Sequence, residues 1–554
     1  MKGLNQTLKC KIIGLYKWYD ICKLSTMKTV YLILLTFLNF AVSAQNEFHV
    51  FPENDKKTPG TSFGNGSLQN PWDLQTAFNQ SSNTVNGGDI IWLHNGIYNG
   101  RFESRLNSTI KDKFIIVASY PDEWAILNGN VKSNKTSVLK VTGANVVYKD
   151  FEVTWIGDFS RQQGESGFQK SDGISHDSGV NCKFINLIIH NNPGSGFGSW
   201  KRTGNSEING CIIFNNGYYS AKRGSGVGMY VQNSSNQERV IKNNVIFNNY
   251  YKGIEVWSDN QKANEAYVKN IILENNVIFN SALVTGVPKD NLIIATNDNT
   301  AVNIAKNIKV INNIFYHNTD FKNNQIDGSM PTITLGFNKN APVDNITLIG
   351  NTILGRNDAI RFLYTKNLTF KNNIVYSGFL RFNESIYNNF NKNTWDFSNN
   401  IYYTRKNKSI RIQSKEDFTL EEWKNKYKIE NNSIWKHISE FNLEPVLNIT
   451  QYEYDKNKFR LVLFDKNEKD VTVDFTKYGI DNGMPYTIID VENHTEIIKS
   501  GVINSDKKVV FPMKLNRNNK NKTLDNFGVY IIEFKKVQPE KKVGFLNRII
   551  KSLF

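Results

Sequence analysis

Between residues 157 and 260 the chain gathers side chains that can move protons, hold anions and stack on rings. Asp172-Gly173-Ile174-Ser175-His176-Asp177 offers two carboxylates and an imidazole, while Trp200-Lys201-Arg202 and Lys222-Arg223-Gly224 offer cations beside an indole. Tyr230, Gln232, Glu255 and Trp257 add a phenol, an amide, a third carboxylate and a second indole. Elimination from an acidic sugar chain needs a cation on the carboxylate, a base for the neighbouring ring proton and an acid for the leaving oxygen. Lys201, Arg202, Arg223, Tyr230 and His176 supply every one of those types and are the catalytic candidates, although solvated surface charge explains Lys201 and Arg202 equally well. Hydrolysis would instead use two carboxyl groups about 5 to 9.5 Å apart. Asp172, Asp177 and Glu255 are available for that, with Glu255 the best single carboxylate and a charge pair with Lys252 its bland alternative. Trp200 and Trp257 would stack on sugar rings, and Asp172, Asp177, Gln232 and Arg361 would line the same surface as binding residues. Glycines at 196, 198, 224, 226 and 228 either keep one strip of that surface low or serve tight turns.

Residues so far apart in sequence meet only if a repeating scaffold stacks them. One is visible in Asn243-Asn244-Val245-Ile246-Phe247, Asn275-Asn276-Val277-Ile278-Phe279, Asn312-Asn313-Ile314-Phe315-Tyr316, Asn372-Asn373-Ile374-Val375-Tyr376 and Asn399-Asn400-Ile401-Tyr402-Tyr403. Weaker copies begin at Asp150, Asn186, Asn209 and Asn351, making nine coils at spacings of about 22 to 38 residues. Such irregular spacing excludes a helical repeat array and suits a β-solenoid that accepts insertions on one side. Asn tolerates the left-handed corner, and stacked Asn side chains can hydrogen-bond from coil to coil. A second strand per coil aligns Ile174, Phe197, Met229, Ile254, Ile333 and Ile360 inward, which predicts an outward column of Ser175, Gly198, Tyr230, Glu255, Thr334 and Arg361.

The ends are marked differently. Pro71–Phe78 reads as a short helix capped by Asp73 that closes the solenoid, and Thr419-Leu420-Glu421-Glu422 has capping-box spacing. The repeat stops near residue 440, and alternating strands at 459–464, 471–475, 486–491, 509–513 and 528–534 predict a small antiparallel β-sandwich. The expected organisation is a signal segment over 1–44 with Met27 a candidate start, a parallel β-helix over 45–435, a sandwich over 440–535 and a basic amphipathic tail over 536–554. Removing residues 1–44, with six Lys and one Asp, lowers the net charge from +16 to +11. The expected location is therefore secreted or periplasmic. The tail offers contact with an anionic membrane surface as one reading, with docking on its own sandwich or fraying as the other. Cys182 and Cys211 remain after the signal and can pair or stay as buried thiols, the latter because Cys211 falls in a register otherwise filled by Leu and Ile. No zinc or calcium-loop spacing occurs, so no cofactor is expected, while calcium on scattered Asp residues stays open. Dispersed basic residues without a recognisable module argue against nucleic acid, and a monomer is expected.

With the opening Phe48-His49-Val50, the Gly88-Asp89-Ile90-Ile91-Trp92-Leu93 strand, Gly96-Ile97-Tyr98 and the Asn corners, residues 46–435 resemble the secreted right-handed parallel β-helix proteins of the pectate-lyase-like superfamily. That resemblance implies an all-β chain acting on polysaccharide. The Arg-x-Pro-x-x-Arg signature of pectate lyases is absent, as is the Asn-Gly-x-Glu-x-Ile-Arg strand of the alginate lyase and chondroitinase B group, so no catalytic residue is carried over. The reading is an exported lyase of an acidic, uronate-containing polysaccharide, with a glycoside hydrolase second and a non-catalytic glycan-binding or adhesion protein third.

Overall fold

The structure, a computed structural model, describes residues 45–535 apart from 318, 325, 327, 384–393, 454 and 515–523. The expected signal segment 1–44 and the basic tail 536–554 lie outside the described residues. Residues from Phe48 onward form one compact unit, and of the other unit, Met1–Glu47, only the last three residues are described.

Each coil of the chain contributes one short strand to each of three twelve-stranded sheets. Arg239–Lys242 belongs to sheet one, Val245–Phe247 to sheet two and Ile254–Val256 to sheet three, and the next coil repeats the order with Lys269–Glu274, Val277–Phe279 and Leu292–Ile294. Neighbouring coils pair in parallel, residue on residue. This is a right-handed parallel β-helix, the hand that parallel crossovers adopt. Ile241, Ile246 and Ile254 point inward from the three sheets of one coil, and none retains measurable exposure. The inward column of sheet three runs Ile174, Phe197, Met229, Ile254, Leu292, Ile333, Ile360, so the coil at Leu292 fills a place that the sequence alignment skipped.

The two asparagines of each corner divide the work. At all nine copies the corner residue, from Asp150 and Asn186 through Asn399, with Gly210 and Gly350 in two coils, holds φ from 53 to 70°. This left-handed turn carries the chain from sheet one to sheet two. The second asparagine points inward. Asn244, Asn276, Asn313, Asn351, Asn373 and Asn400 are fully buried, and each donates its amide to the carboxamide oxygen of the next coil at 2.9 to 3.2 Å, ending on Glu430 Oε2. The same oxygens also accept backbone N–H groups, for instance Asn276 N to Asn313 Oδ1 at 2.9 Å. With every amide paired, the buried ladder meets the condition under which a polar interior fixes one register. Cys211 stands in this column, with its N–H on Asn244 Oδ1, so its register is Leu187 on one side and Asn on the other. Both described cysteines are free and buried, and burial pushes their thiols up to about 11 and about 12. The sheets hold more coils than the nine corner copies because the earliest coils turn on other residues, including Gly96 and Asp122 at positive φ.

Helix α1 (Leu74–Phe78) has Asp73 as its cap, accepting from Thr76 N at 2.9 Å, and buries Leu74, Ala77 and Phe78 in the interior of the first coils. Helix α2 (Leu420–Tyr427) carries the expected capping box, and its Trp423 packs on Phe382 at 4.9 Å between ring centroids. No described helix is long and apolar enough to cross a membrane.

The C-terminal strands form a five-stranded antiparallel sheet (Val446–Gln451, Lys458–Phe464, Phe527–Phe534, Pro485–Asp490, Ile497–Val502) and a two-stranded one (Val471–Asp474 with Lys508–Phe511). They share a core of Phe459, Leu461, Val473, Phe475, Ile488, Phe511 and Ile532, which makes a sandwich. The first and fifth strands of the larger sheet are additions to the sequence reading. Its opposite face, with Val462, Phe464, Phe527, Val529 and Ile531, covers Val245, Phe247, Val277, Phe279, Ile314 and Tyr316 on the outside of sheet two. That cover explains why Val-Ile-Phe repeats are apolar on both sides: Ile246 fills the coil while Val245 and Phe247 meet the sandwich.

Candidate functional site

Among the described residues the sandwich gives sheet three no such cover. Pairing along it sets an outward column of Glu103, Lys140, Ser175, Gly198, Tyr230, Glu255, Ile293, Thr334, Arg361, Arg381 and Arg411. Ile293 separates Glu255 from Thr334, which the sequence alignment made neighbours. Long insertions flank the sheet: residues 156–171 and the Tyr218–Ser225 hairpin enter it, and residues 257–268 leave it.

In the upstream part Trp200 lies across the backbone of Gly198, where an added Cβ would stand 3.0 Å from its Nε1. The indole donates to Ser175 Oγ at 2.9 Å, and its ring sits 5.2 Å from that of Tyr230. Ser175 in turn donates to Asp177, whose carboxylate meets Lys140 at 3.4 Å. Any larger side chain here would have to push the ring aside by a few tenths of an ångström.

The next two coils hold the charges. Glu255 accepts from Lys252 Nζ at 2.7 Å, with both side chains about a tenth exposed, 11% for Lys252 and 10% for Glu255. Burial opposes the charge on Lys252, yet the carboxylates of Glu255 and Asp290 outweigh it and hold the ammonium above its ordinary value. Burial, with the nearby charges of Glu255 and Asp259, raises the Tyr230 phenol well above its ordinary value, so it stays protonated across the working range. The ammonium of Lys252 also lies 4.5 Å from the Tyr251 ring and 5.8 Å from the Trp257 ring. Trp257 meets the half-exposed Phe337 edge-on at 5.3 Å, and Gln232 is buried with its amide on Trp257 O at 3.2 Å. Arg223 is exposed and stacks on Tyr251 at 3.8 Å. Further along, Arg361 bridges Asp290 at 3.3 Å and Thr334 Oγ1 at 2.8 Å.

Of the residues picked from sequence, Tyr230, Glu255, Trp200, Trp257, Asp177 and Arg223 therefore converge on this stripe, and Arg361 stands three coils beyond Glu255. Others do not join. His176 takes the inward register beside Ile174, is 1% exposed, donates Nε2 to Gly179 O at 2.9 Å and packs on Phe184; burial and Arg239 depress its pKa far below the ordinary value. It has no path to a ligand on the outer face, because alternation sends every second side chain into the coil. Asp172, the first residue of the strand Asp172–Ser178, accepts the Ser195 N–H at 2.7 Å, and burial raises its carboxyl. Lys201 is engaged on the rim by Glu265 at 2.5 Å and by the Tyr267 ring, while Arg202 is exposed. Sequence reasoning missed Asp290 and Tyr251, and it held Lys252 only as a partner. Asp290 stands two residues before Leu292, as Lys252 stands two before Ile254, so aligning the skipped coil would have found it.

No protein-family profile matches the chain, and no curated protein matches it. Among solved structures it is similar to a pectate lyase at 15% identity, covering 67% of this chain and 78% of that one with a TM-score of 0.40. It is also similar to an alginate lyase from Paenibacillus sp. (18% identity, 60% and 92% covered, TM-score 0.37) and to PfbA, a surface adhesin of Streptococcus pneumoniae (11%, 68% and 94%, TM-score 0.43). These likenesses concern the fold alone, and residue roles are argued from the geometry above.

Proposed function

We propose that the chain is a polysaccharide-active protein that binds an acidic glycan along the outer face of sheet three and cleaves it by β-elimination. The observation that carries this reading is the convergence of Tyr230, Glu255 and Lys252 on one strip away from the sandwich, between two indoles, Trp200 and Trp257. In the proposed reaction Arg223 pairs with a uronate carboxylate and Glu255 takes the proton from the neighbouring ring carbon. That electron pair forms the ring double bond, the bond to the bridging oxygen breaks, and the oxygen receives the phenolic proton of Tyr230. Lys252, held charged, steadies the Glu255 carboxylate.

The test is digestion of a polysaccharide panel followed by mass analysis. Products with an unsaturated end are expected, and Glu255→Gln or Tyr230→Phe should slow their release about a hundredfold or more while binding persists. Water-added products would replace elimination with hydrolysis, for which Glu255 and Asp290 on either side of Lys252 are the carboxylates to mutate first. Polymer bound but unchanged would replace catalysis with glycan binding. Affinity should also fall as salt shortens the Debye length from about 10 Å at 0.1 M; a salt-independent affinity for a neutral glycan would remove the acidic substrate.

A further inference from the structure

Where the sandwich ends its cover of sheet two, three metal-binding side chains meet. Glu152 opens the strand Glu152–Thr154 and His190 closes the strand Ile188–His190 in the next coil, both facing outward. His494 follows the sandwich turn Val491–Asn493. One ligand atom from each lies within 4.8 Å of the other two. Glu152 Oε1 and His190 Nε2 are 2.8 Å apart, and the His494 ring stands 5.1 Å from that of His190, making ring contacts to His190 and Phe214 among the described residues.

We propose that Glu152, His190 and His494 bind a divalent first-row transition ion of the zinc type. Two imidazoles and one carboxylate are the donor set that suits such an ion, whereas calcium and magnesium call for oxygen cages. Two ligands on a tetrahedral ion with bonds of about 2.0–2.1 Å stand roughly 3.3 Å apart. Glu152 and His190 need to open by about half an ångström and His494 to close in, movements within reach of side-chain rotation. The outer partners that orient metal ligands are also in place. Trp124 Nε1 donates to the second oxygen of Glu152 at 3.2 Å, Thr154 Oγ1 lies 3.4 Å from His190 Nδ1, and His190 is stacked flat on Phe214 at 4.8 Å.

The surroundings set the coordination number. A cleft of about 540 Å³ lined by Glu152, Trp155, Arg161 and His190 and another of about 350 Å³ lined by His190, Phe214 and His494 both reach the cluster. Three protein ligands beside open volume leave a position for water or a ligand oxygen, the arrangement of an open site. Because His494 belongs to the sandwich and the other two to the solenoid, the ion ties the two domains together at the edge of their apolar contact. This site is independent of the sheet-three stripe and of the reading given to it.

The experiment is calorimetric titration of EDTA-treated, dialysed protein with zinc chloride, alongside His494→Ala and Glu152→Gln. The parent should bind one more zinc per chain than either variant, and zinc should raise its melting temperature more than theirs. Cobalt(II) should give the visible absorption of a tetrahedral centre in the parent and lose it in the variants. His494→Ala should melt close to the parent in EDTA, because the partly buried ring touches only His190 and Phe214 among the described rings; if it does not fold, Glu152→Gln, which keeps the shape of the side chain, decides the matter. Equal stoichiometry and equal melting shifts in parent and variants would overturn the site, as would the absence of any tetrahedral cobalt spectrum in the parent.

Discussion

The outer faces of sheets two and three grow from the same coils by the same alternation, yet one is packed under the sandwich and the other carries the proposed site. On sheet two Phe214, Phe247 and Phe279 stack at 4.9 Å per step, and the sandwich seals Phe247 and Phe279 to within 3% exposure. On sheet three the outward positions of the same coils are Tyr230, Glu255 and Ile293, of which the first two are polar. The interior is alike behind both, so what a face does is set by the outward residue and by what covers it, at no cost to the coil. A β-helix can therefore change its chemistry one column at a time.

Three substitutions sharpen or break this contrast. The largest effect should come from Phe247→Ala, which opens a cavity between solenoid and sandwich and should cost about 3–5 kcal/mol in denaturant unfolding while glycan affinity is unchanged. A loss of binding with intact stability would show that sheet two, not sheet three, carries the ligand. Trp257→Ala should do the reverse, weakening glycan binding roughly tenfold, about 1.4 kcal/mol, with less than about 1 kcal/mol of stability lost. If the fold collapses instead, Trp257 belongs to the core. The smallest effect concerns the interior behind both faces. Glu430, at the end of the ladder, accepts from Tyr402, Ser433 and Asn400, and burial raises its carboxyl above the ordinary value. The folded chain thus holds that proton more tightly than the unfolded one, and the stability it gives at acid pH is lost as pH rises from the ordinary carboxylate range through the raised value. Glu430→Gln should flatten that decline in melting temperature between acid and neutral pH; an unaltered slope would show that Glu430 ionises freely in the fold.

How far the sequence could be read follows from how local each signal is. The Asn-Asn corner, the inward aliphatics and the outward column around Tyr230 and Glu255 are periodic, so they stand out in one dimension and are found in the structure as such. His176 is misplaced by its side-chain type alone, since an inward Ile174 and an outward Ser175 already send the next side chain into the coil. Asp290 was missed because its coil presents Leu292-Ile293-Ile294, apolar on both faces, which hid the alternation. Glu152, His190 and His494 left no trace as a group, since two domains bring them together and no spacing encodes that meeting. The weak corner copy ending in His190, where later coils place Phe, was the one local sign.

The asparagine ladder has a direction. Every amide takes its acceptor from the following coil and gives one to the preceding coil, from Asn244 to Asn400, before Glu430 terminates the row. Each link thus presents an identical socket upstream and an identical plug downstream, whatever the length of the loop between them. A gene encoding such a rod can gain or lose a complete turn by duplication or excision and re-form an unbroken row at the seam, whereas a cut inside a turn leaves a plug without its socket. The length of the molecule is in that sense quantised, and its span along a substrate can change in evolution only in whole steps.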